Sequence, residues 1–176
     1  NDTVYSKEDI LNTPGQFKDP EFIFSTWGMP EFTEDEIKKY LPSLKAIFYA
    51  AGSVQSFARP FLNCGVKIFS AWAANAVPVA EYTVAQITLA NKGFFKTMRF
   101  TDKKESREIF KNYPGNFGVK IGIIGAGMIG KLVINMLKAY RLEVLVFDPF
   151  LPDDTARELG VTKVELDTLF SECQVV

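Results

Sequence analysis

Three glycines and one carboxylate give the clearest chemical signal in the sequence. Gly125, Gly127 and Gly130 form a G-x-G-x-x-G turn directly after an apolar stretch, and Asp148 ends the next apolar stretch. Such a turn between a strand and a helix brings free backbone N–H groups and the positive end of the helix dipole close to a pyrophosphate. An acid about 20 residues further on accepts hydrogen bonds from ribose hydroxyls. The spacing therefore predicts a dinucleotide site.

The type of dinucleotide follows from the charge at Asp148. A carboxylate repels a 2′-phosphate. The residues that follow it, Pro149, Phe150 and Leu151, include no basic side chain, and Arg157 is the nearest one along the chain. The sequence therefore predicts NAD as the cofactor rather than NADP. Two alternatives stay open: a Rossmann-like unit with no ligand, and one that binds another nucleotide such as S-adenosylmethionine.

The segments around this turn alternate between apolar strands and helices. This rhythm predicts the α/β class with two Rossmann-like parallel-sheet units. We predict a division near residue 77, into residues 1–77 and residues 78–176. Strands are predicted at 21–27, 44–52, 66–72, 119–124, 142–148 and 161–164, a further strand begins at 173–176, and helices are predicted at 33–41, 57–65, 128–140, 153–160 and 166–172.

The middle of the chain is predicted to hold one long helix and a polar connector. Residues 77–100 carry too many apolar positions for a narrow stripe, which favours a helix buried on more than one side. Glu81 is then expected to bond N–H groups at the start of that helix. Phe94, Phe95 and Phe100 form either a dimer patch or part of the core. The polar segment 101–118 is predicted to be a loop.

Composition excludes several classes of function. The 176 residues carry a net charge of −1, which gives no general attraction to nucleic acid or to a membrane surface. No apolar run is long enough to span a membrane. The sequence has no His and only two distant cysteines, so no metal cluster is predicted, and lone cysteines favour a cytoplasmic location. The first residue is not Met and the last residues open a strand, which is typical of a fragment.

Three stretches resemble the D-isomer-specific 2-hydroxyacid dehydrogenases. "LKAIFYAAG" is similar to the family's strand and substrate loop, and "NAVPVAEYTVAQITLANKG" to its interdomain helix. "GIIGAGMIG", followed by the Asp148–Pro149 pair, is similar to its cofactor fingerprint. The resemblance implies a flavodoxin-like substrate domain, of which residues 1–77 are the N-terminal part. It also implies that residues 78–176 are the first half of an NAD-binding Rossmann domain, which begins with the interdomain helix 77–100 and carries a homodimer interface.

The resemblance also assigns expected roles to individual residues. Gly125, Gly127, Met128, Ile129 and Gly130 match the pyrophosphate turn, Asp148 the ribose acid, and Thr83 a position near the cofactor. Ala51, Gly52 and Ser53 match the loop whose N–H groups hold the carboxylate of a 2-keto acid. A turn without a ligand remains the alternative for that loop, and a hydroxyl bonded to its own helix remains the alternative for Thr83.

The catalytic residues are expected outside this sequence. In the family an Arg binds the substrate carboxylate, and a His, oriented by a Glu, exchanges the proton; all three are expected beyond residue 176. The absence of His agrees, because reduction of a ketone needs a proton donor with a pKa near neutral. The expected activity is NAD-dependent interconversion of a 2-keto acid and a D-2-hydroxy acid, with residues 1–176 alone inactive. The alternative is an NAD-sensing binding protein of the corepressor type.

Overall fold

The chain forms two compact units, Asn1–Asn75 and Ala76–Val176. A computed structural model describes residues 3–13, 15–99 and 102–176. Each unit contains one three-stranded parallel sheet, so the predicted α/β fold with two parallel-sheet units is confirmed. Among the described residues, no helix is long and apolar enough to cross a membrane.

The first unit is a sheet with helices packed on one of its faces. Its strands pair in the order β1-β2-β3, and the buried core lies between one sheet face and the helices. Ile37, Leu41, Phe57 and Phe61 supply much of that core. The elements are α1 (Lys7–Asn12), β1 (Phe22–Ser25), α2 (Glu34–Tyr40), β2 (Ala46–Tyr49), α3 (Ala58–Asn63) and β3 (Lys67–Ser70).

Capping boxes begin two of these helices. The Thr33 hydroxyl accepts from the Glu36 N–H while the Glu36 carboxylate accepts from the Thr33 N–H. Ser6 and Asp9 make the same exchange at the start of α1. Each box satisfies backbone donors that a helix start leaves free. A helix at 33–41 was predicted from the sequence, whereas α1 was not predicted.

The long middle helix differs from its prediction. Helix α4 spans Trp72–Asn91, so it begins five residues earlier than predicted and contains Pro78. It ends near Gly93, where the Tyr113 ring occupies the space of a Cβ, and a short helix α5 (Phe94–Thr97) follows. Glu81 therefore lies inside α4 and is exposed, so the prediction that it bonds N–H groups at the helix start is wrong.

Burial in this region also differs from prediction. The first half of α4 is mostly exposed; only Ala76 and Ala80 are buried there. Phe94 and Phe95 are exposed and pack edge to face against each other, whereas Phe100 lies outside the described residues. A helix exposed over half its length does not have the predicted burial on more than one side.

The predicted connector contains a helix. Helix α6 spans Lys103–Phe110, and Asp102 caps it by accepting from the N–H groups of Lys104 and Glu105 at 2.6 and 3.2 Å. None of its residues is buried. The polar composition that suggested a loop is instead typical of an exposed, well-capped helix.

The second unit has the strand order of a dinucleotide-binding sheet. Its strands pair as β4-β5-β6, and Val175 forms a parallel bridge to Ile121 on the edge of β4 opposite β5. The chain thus reverses direction across the sheet at β4, where ligands of such folds bind beyond the carboxyl ends of the strands. Its elements after α6 are β4 (Phe117–Ile124), α7 (Met128–Leu137), β5 (Arg141–Phe147), α8 (Asp153–Leu159), β6 (Thr162–Lys163) and α9 (Leu166–Glu172).

Candidate dinucleotide site and substrate loop

The glycine turn joins the carboxyl end of β4 to the start of α7. Gly125 has φ +90°, a conformation that side chains rarely adopt, and its N–H donates to the carbonyl of Phe147 at 2.9 Å. A Cβ on Gly130 would lie 2.0 Å from the Gly125 carbonyl oxygen. The first glycine therefore makes the turn, and the last allows helix α7 to pack against it.

The middle glycine borders open space. A Cβ on Gly127 would have no atom within 4 Å, and the residue has extended backbone before the first turn of α7. Met128 and Ile129 follow with partly exposed side chains. The first intrahelical bond is donated by Lys131 to the Gly127 carbonyl, so the earlier N–H groups of this helix have no helical partner. This arrangement fits a phosphate group. The phosphate would approach through the space that a Cβ on Gly127 would fill.

Asp148 lies beside the turn, at the end of β5. Its carboxylate accepts from the N–H of Ala126 at 2.8 Å and from the N–H of Phe150 at 2.8 Å. The bond from Ala126, and then that from Phe150, lowers the pKa of Asp148 below its usual value of 3.8. The acid therefore carries a charge at neutral pH and is fixed against the glycine turn, and each oxygen retains a lone pair for a ribose hydroxyl.

The sequence analysis did not single out one basic residue that lies near Asp148. Lys163 on β6 donates to the carbonyl of Leu151 at 2.7 Å and lies 3.4 Å from the carboxylate of Asp153, and its charge also lowers the pKa of Asp148. It reaches this place because β6 pairs with β5, with Val146 opposite Lys163. Arg157, the nearest basic residue along the chain, bonds instead to Asp154. The sequence spacing alone gave no sign of Lys163.

Thr83 is engaged within its own helix. Its hydroxyl donates to the carbonyl of Val79 at 2.8 Å, and the residue is half-buried. The sequence analysis left open that this hydroxyl bonds to its own helix, and the structure shows that bond. A role for Thr83 at the cofactor remains a prediction.

The predicted substrate loop follows β2 in the first unit. Ala51 is fully buried, Gly52 is half-buried and Ser53 is exposed. Among the described residues, none accepts a hydrogen bond from the backbone N–H groups of these three positions. Three successive free donors are suited to bind a carboxylate.

Two residues that the sequence analysis did not single out support this loop. The Ser70 hydroxyl lies 2.9 Å from the carbonyl oxygen of Ala51 and 2.5 Å from that of Gly52. The side-chain amide of Asn75 lies next to Gly52, 3.3 Å from the position of a Cβ there. By holding the carbonyl groups on one side, Ser70 leaves the N–H groups of the loop available.

Among the described residues there is no cluster of three or more side chains that could hold a metal ion. Cys64 and Cys173 are both free. The groups gathered at the two sites are therefore backbone donors and one carboxylate, which bind and orient but do not supply a proton donor for a ketone.

The strand order, the turn and the acid define the second unit as a dinucleotide-binding α/β fold. Residues 84–176 match the family model described as D-isomer specific 2-hydroxyacid dehydrogenase, NAD binding domain. The chain therefore belongs to the D-isomer-specific 2-hydroxyacid dehydrogenase family, and its cofactor is NAD. Both sequence-based predictions are confirmed.

Similar proteins support the same assignment. The D-lactate dehydrogenase of Escherichia coli (strain K12) is 34% identical over 113 residues, which cover 64% of this chain and 34% of that protein. A D-3-phosphoglycerate dehydrogenase of Methanocaldococcus jannaschii is 27% identical over 165 residues, which cover 93% of this chain and 30% of that protein. The apo-structure of E. coli D-lactate dehydrogenase aligns with a TM-score of 0.65 at 25% identity, over 92% of this chain and 51% of that one. The chain thus spans about a third of the length of these curated relatives.

Proposed function

We propose that this chain is part of an NAD-dependent oxidoreductase that interconverts a 2-keto acid and a D-2-hydroxy acid. The observation that carries the proposal is the bond between the Asp148 carboxylate and the Ala126 N–H, because it fixes a charged ribose acid beside a glycine turn. Membership of the dehydrogenase family supports it. NAD, when bound, supplies the hydride acceptor or donor.

The proposed cofactor contacts are divided between the turn and the acid. Gly125 would make the turn, and the N–H groups that follow Gly127, those of Met128, Ile129 and Gly130, would hold the pyrophosphate. Asp148 would accept from the adenosine ribose hydroxyls and would disfavour a 2′-phosphate. Thr83 is kept as a proposed further contact.

The proposed substrate contacts lie in the first unit, which we propose is the N-terminal part of the substrate-binding domain. The free N–H groups of Ala51, Gly52 and Ser53 would bind the carboxylate of the 2-keto acid. Ser70 would hold the loop in this orientation because its one hydroxyl hydrogen lies within reach of two loop carbonyls. A carboxylate held this way places the adjacent ketone in a defined position for hydride transfer.

The proposed proton donor lies outside residues 1–176. The sequence contains no His, the residue whose ordinary pKa suits it to exchange a proton near neutral pH. We therefore propose that an Arg, a Glu and a His from further polypeptide complete the active site. Residues 1–176 alone would then bind ligands without turnover.

We also propose that the full protein is a cytoplasmic homodimer paired through its NAD-binding domain. The exposed pair Phe94 and Phe95 supports such a surface in the second unit. The relatives named above are dehydrogenases, so the NAD-sensing alternative is not favoured.

The test is NADH oxidation by the intact protein with a panel of 2-keto acids. Turnover with at least one of them, and none for a chain of residues 1–176 under the same conditions, would support the proposal. An intact protein that binds NADH but oxidises it with no 2-keto acid would contradict it.

A further inference from the structure

Lys163 bonds to the chain segment that carries Asp148. Its Nζ donates to the carbonyl of Leu151 at 2.7 Å and lies 3.4 Å from the carboxylate of Asp153. Leu151 ends a turn that begins at Asp148, because its N–H donates to the Asp148 carbonyl at 3.2 Å. Asp153 is the first residue of helix α8. One side chain on β6 therefore joins the turn after β5 to the start of the next helix.

The turn from Asp148 to Leu151 is held at both of its ends. At the first end, the Asp148 carboxylate accepts from the N–H groups of Ala126 and Phe150 at 2.8 Å each. At the other end, the Leu151 side chain is buried in the core of the second unit. Phe150 lies between them with 91% of its surface exposed, so its side chain adds little to the packing of the turn. Among the described residues, Lys163 is the one donor to the Leu151 carbonyl.

Lys163 reaches this turn because of its place in the sheet. Strand β6 pairs with β5 through two residue pairs, and Lys163 lies opposite Val146, two residues before Asp148. Its side chain is 33% exposed, so the ammonium group is partly shielded from solvent. The bonds from Ala126 and Phe150 lower the pKa of Asp148 most, and the charge of Lys163 contributes as well. The lysine is thus close enough to the acid to influence it both through the turn and through its charge.

We infer that Lys163 is a positioning residue for the cofactor, which acts through Asp148 rather than on the cofactor itself. By holding the Leu151 carbonyl, it keeps the turn in the conformation in which the Asp148 carboxylate lies against the Ala126 N–H. A charged donor makes a stronger hydrogen bond than a neutral one. Without this donor, the turn loses the bond at its second end, and Asp148 is no longer held in place for the ribose. This inference rests on the proposed role of Asp148 in binding NAD.

A purely structural role for Lys163 predicts a different pattern of NAD affinities. Such a residue would stabilise the second unit, and its loss would weaken NAD binding equally whether or not position 148 carries a carboxylate. A residue that acts through Asp148 loses its effect on binding once that carboxylate is removed. A double-mutant cycle between the two positions distinguishes these patterns.

The experiment is a calorimetric titration of the intact protein with NAD. It compares the unsubstituted protein, Lys163→Met, Asp148→Ala and the double variant; methionine keeps an apolar stem and removes the donors. Lys163→Met is expected to weaken NAD binding by about tenfold when Asp148 is present. In the Asp148→Ala background, the same change is expected to alter the affinity by less than about twofold. Lys163→Arg, which keeps a charged donor, should restore the affinity.

Two outcomes would overturn the inference. One is an NAD affinity that Lys163→Met leaves unchanged while Asp148→Ala lowers it, which refutes this inference alone. The other is equal weakening by Lys163→Met in both backgrounds, which assigns the lysine a structural role. If Asp148→Ala itself left NAD binding unchanged, the proposed ribose contact would fail and this inference with it.

Two further variants keep the test decisive. Asp153→Asn removes the ion pair and leaves the bond to Leu151; because the Asp153 side chain is 78% exposed, it is expected to change NAD affinity by less than about twofold. Weakening as large as that of Lys163→Met would overturn the role of the Leu151 bond. Urea unfolding is measured for every variant. If Lys163→Met does not fold, Lys163→Gln, which keeps a neutral donor, takes its place in the cycle, with a smaller loss of affinity expected and the same patterns overturning the inference.

Discussion

Alanine at two glycines of the turn is expected to separate a folding role from a cofactor role. With Gly130→Ala, the new Cβ would lie 2.0 Å from the Gly125 carbonyl oxygen, whereas ordinary contacts begin at 3.4 Å. The neighbouring atom is backbone in a tight turn, so the helix or the turn must move. The helix propensity of alanine contributes about 1 kcal/mol in favour, and overpacking of this severity costs about 3 kcal/mol. A net loss of about 2 kcal/mol in the free energy of unfolding follows.

Gly127→Ala is the matched change without that clash. A Cβ there has no neighbour within 4 Å and the backbone is extended, so stability is expected to stay within about 0.5 kcal/mol of the unsubstituted protein. The Cβ would, however, occupy the space above the free N–H groups. Loss of one charge-assisted hydrogen bond to a phosphate costs about 1.5–3 kcal/mol, which weakens NAD binding by about 10- to 100-fold.

Both variants are measured by urea unfolding and by calorimetric titration with NAD. Gly130→Ala is expected to lower the midpoint of urea unfolding, whereas Gly127→Ala is expected to change only the affinity for NAD. If Gly127→Ala bound NAD as tightly as the unsubstituted protein, the pyrophosphate would not lie at this turn.

Three further outcomes are expected. The folded-state pKa of Asp148 is lowered, so its contribution to stability is complete above pH 3.8 and is lost as the pH falls through the lowered pKa. Asp148→Asn should remove this part of the acid dependence of stability. Acid unfolding curves that are unchanged in the variant would contradict the assignment. Asp102→Ala should destabilise helix α6 by about 1 kcal/mol and speed amide hydrogen exchange there, whereas Asp102→Ser should retain the cap. Ser70→Ala should raise the KM of the intact enzyme for its 2-keto acid by about tenfold with little change in kcat. Ser70→Thr, which keeps the hydroxyl, should restore the original KM. An unchanged KM in Ser70→Ala would exclude Ser70 from positioning the loop.

The elements around the glycine turn were predictable because their signals are local. Three features each require a particular residue type within a few neighbouring positions. They are a turn that needs a left-handed residue, a helix that needs close packing, and an acid that ends a strand. The capping box at Thr33 and Glu36 is local in the same way. These signals fixed the place of Gly125, Gly130 and Asp148 in the fold, while their roles at NAD remain predictions.

The errors have a common physical origin in nonlocal contacts. The predicted start of the long helix at residue 77 is wrong, because α4 begins at Trp72 and contains Pro78 in its interior. The end of that helix depends on the Tyr113 ring, which lies far along the chain from Gly93. Lys163 reaches the acid only through the pairing of β5 and β6. Neither contact can be derived from sequence spacing.

The most direct test of the dinucleotide site is a calorimetric titration of the intact protein with NAD and, separately, with NADP. NAD is expected to bind at least about tenfold more tightly than NADP, because the charged Asp148 would accept ribose hydroxyls and repel a 2′-phosphate. Asp148→Ser should reduce this preference. Equal affinities for the two cofactors, or a preference for NADP, would contradict the role assigned to Asp148.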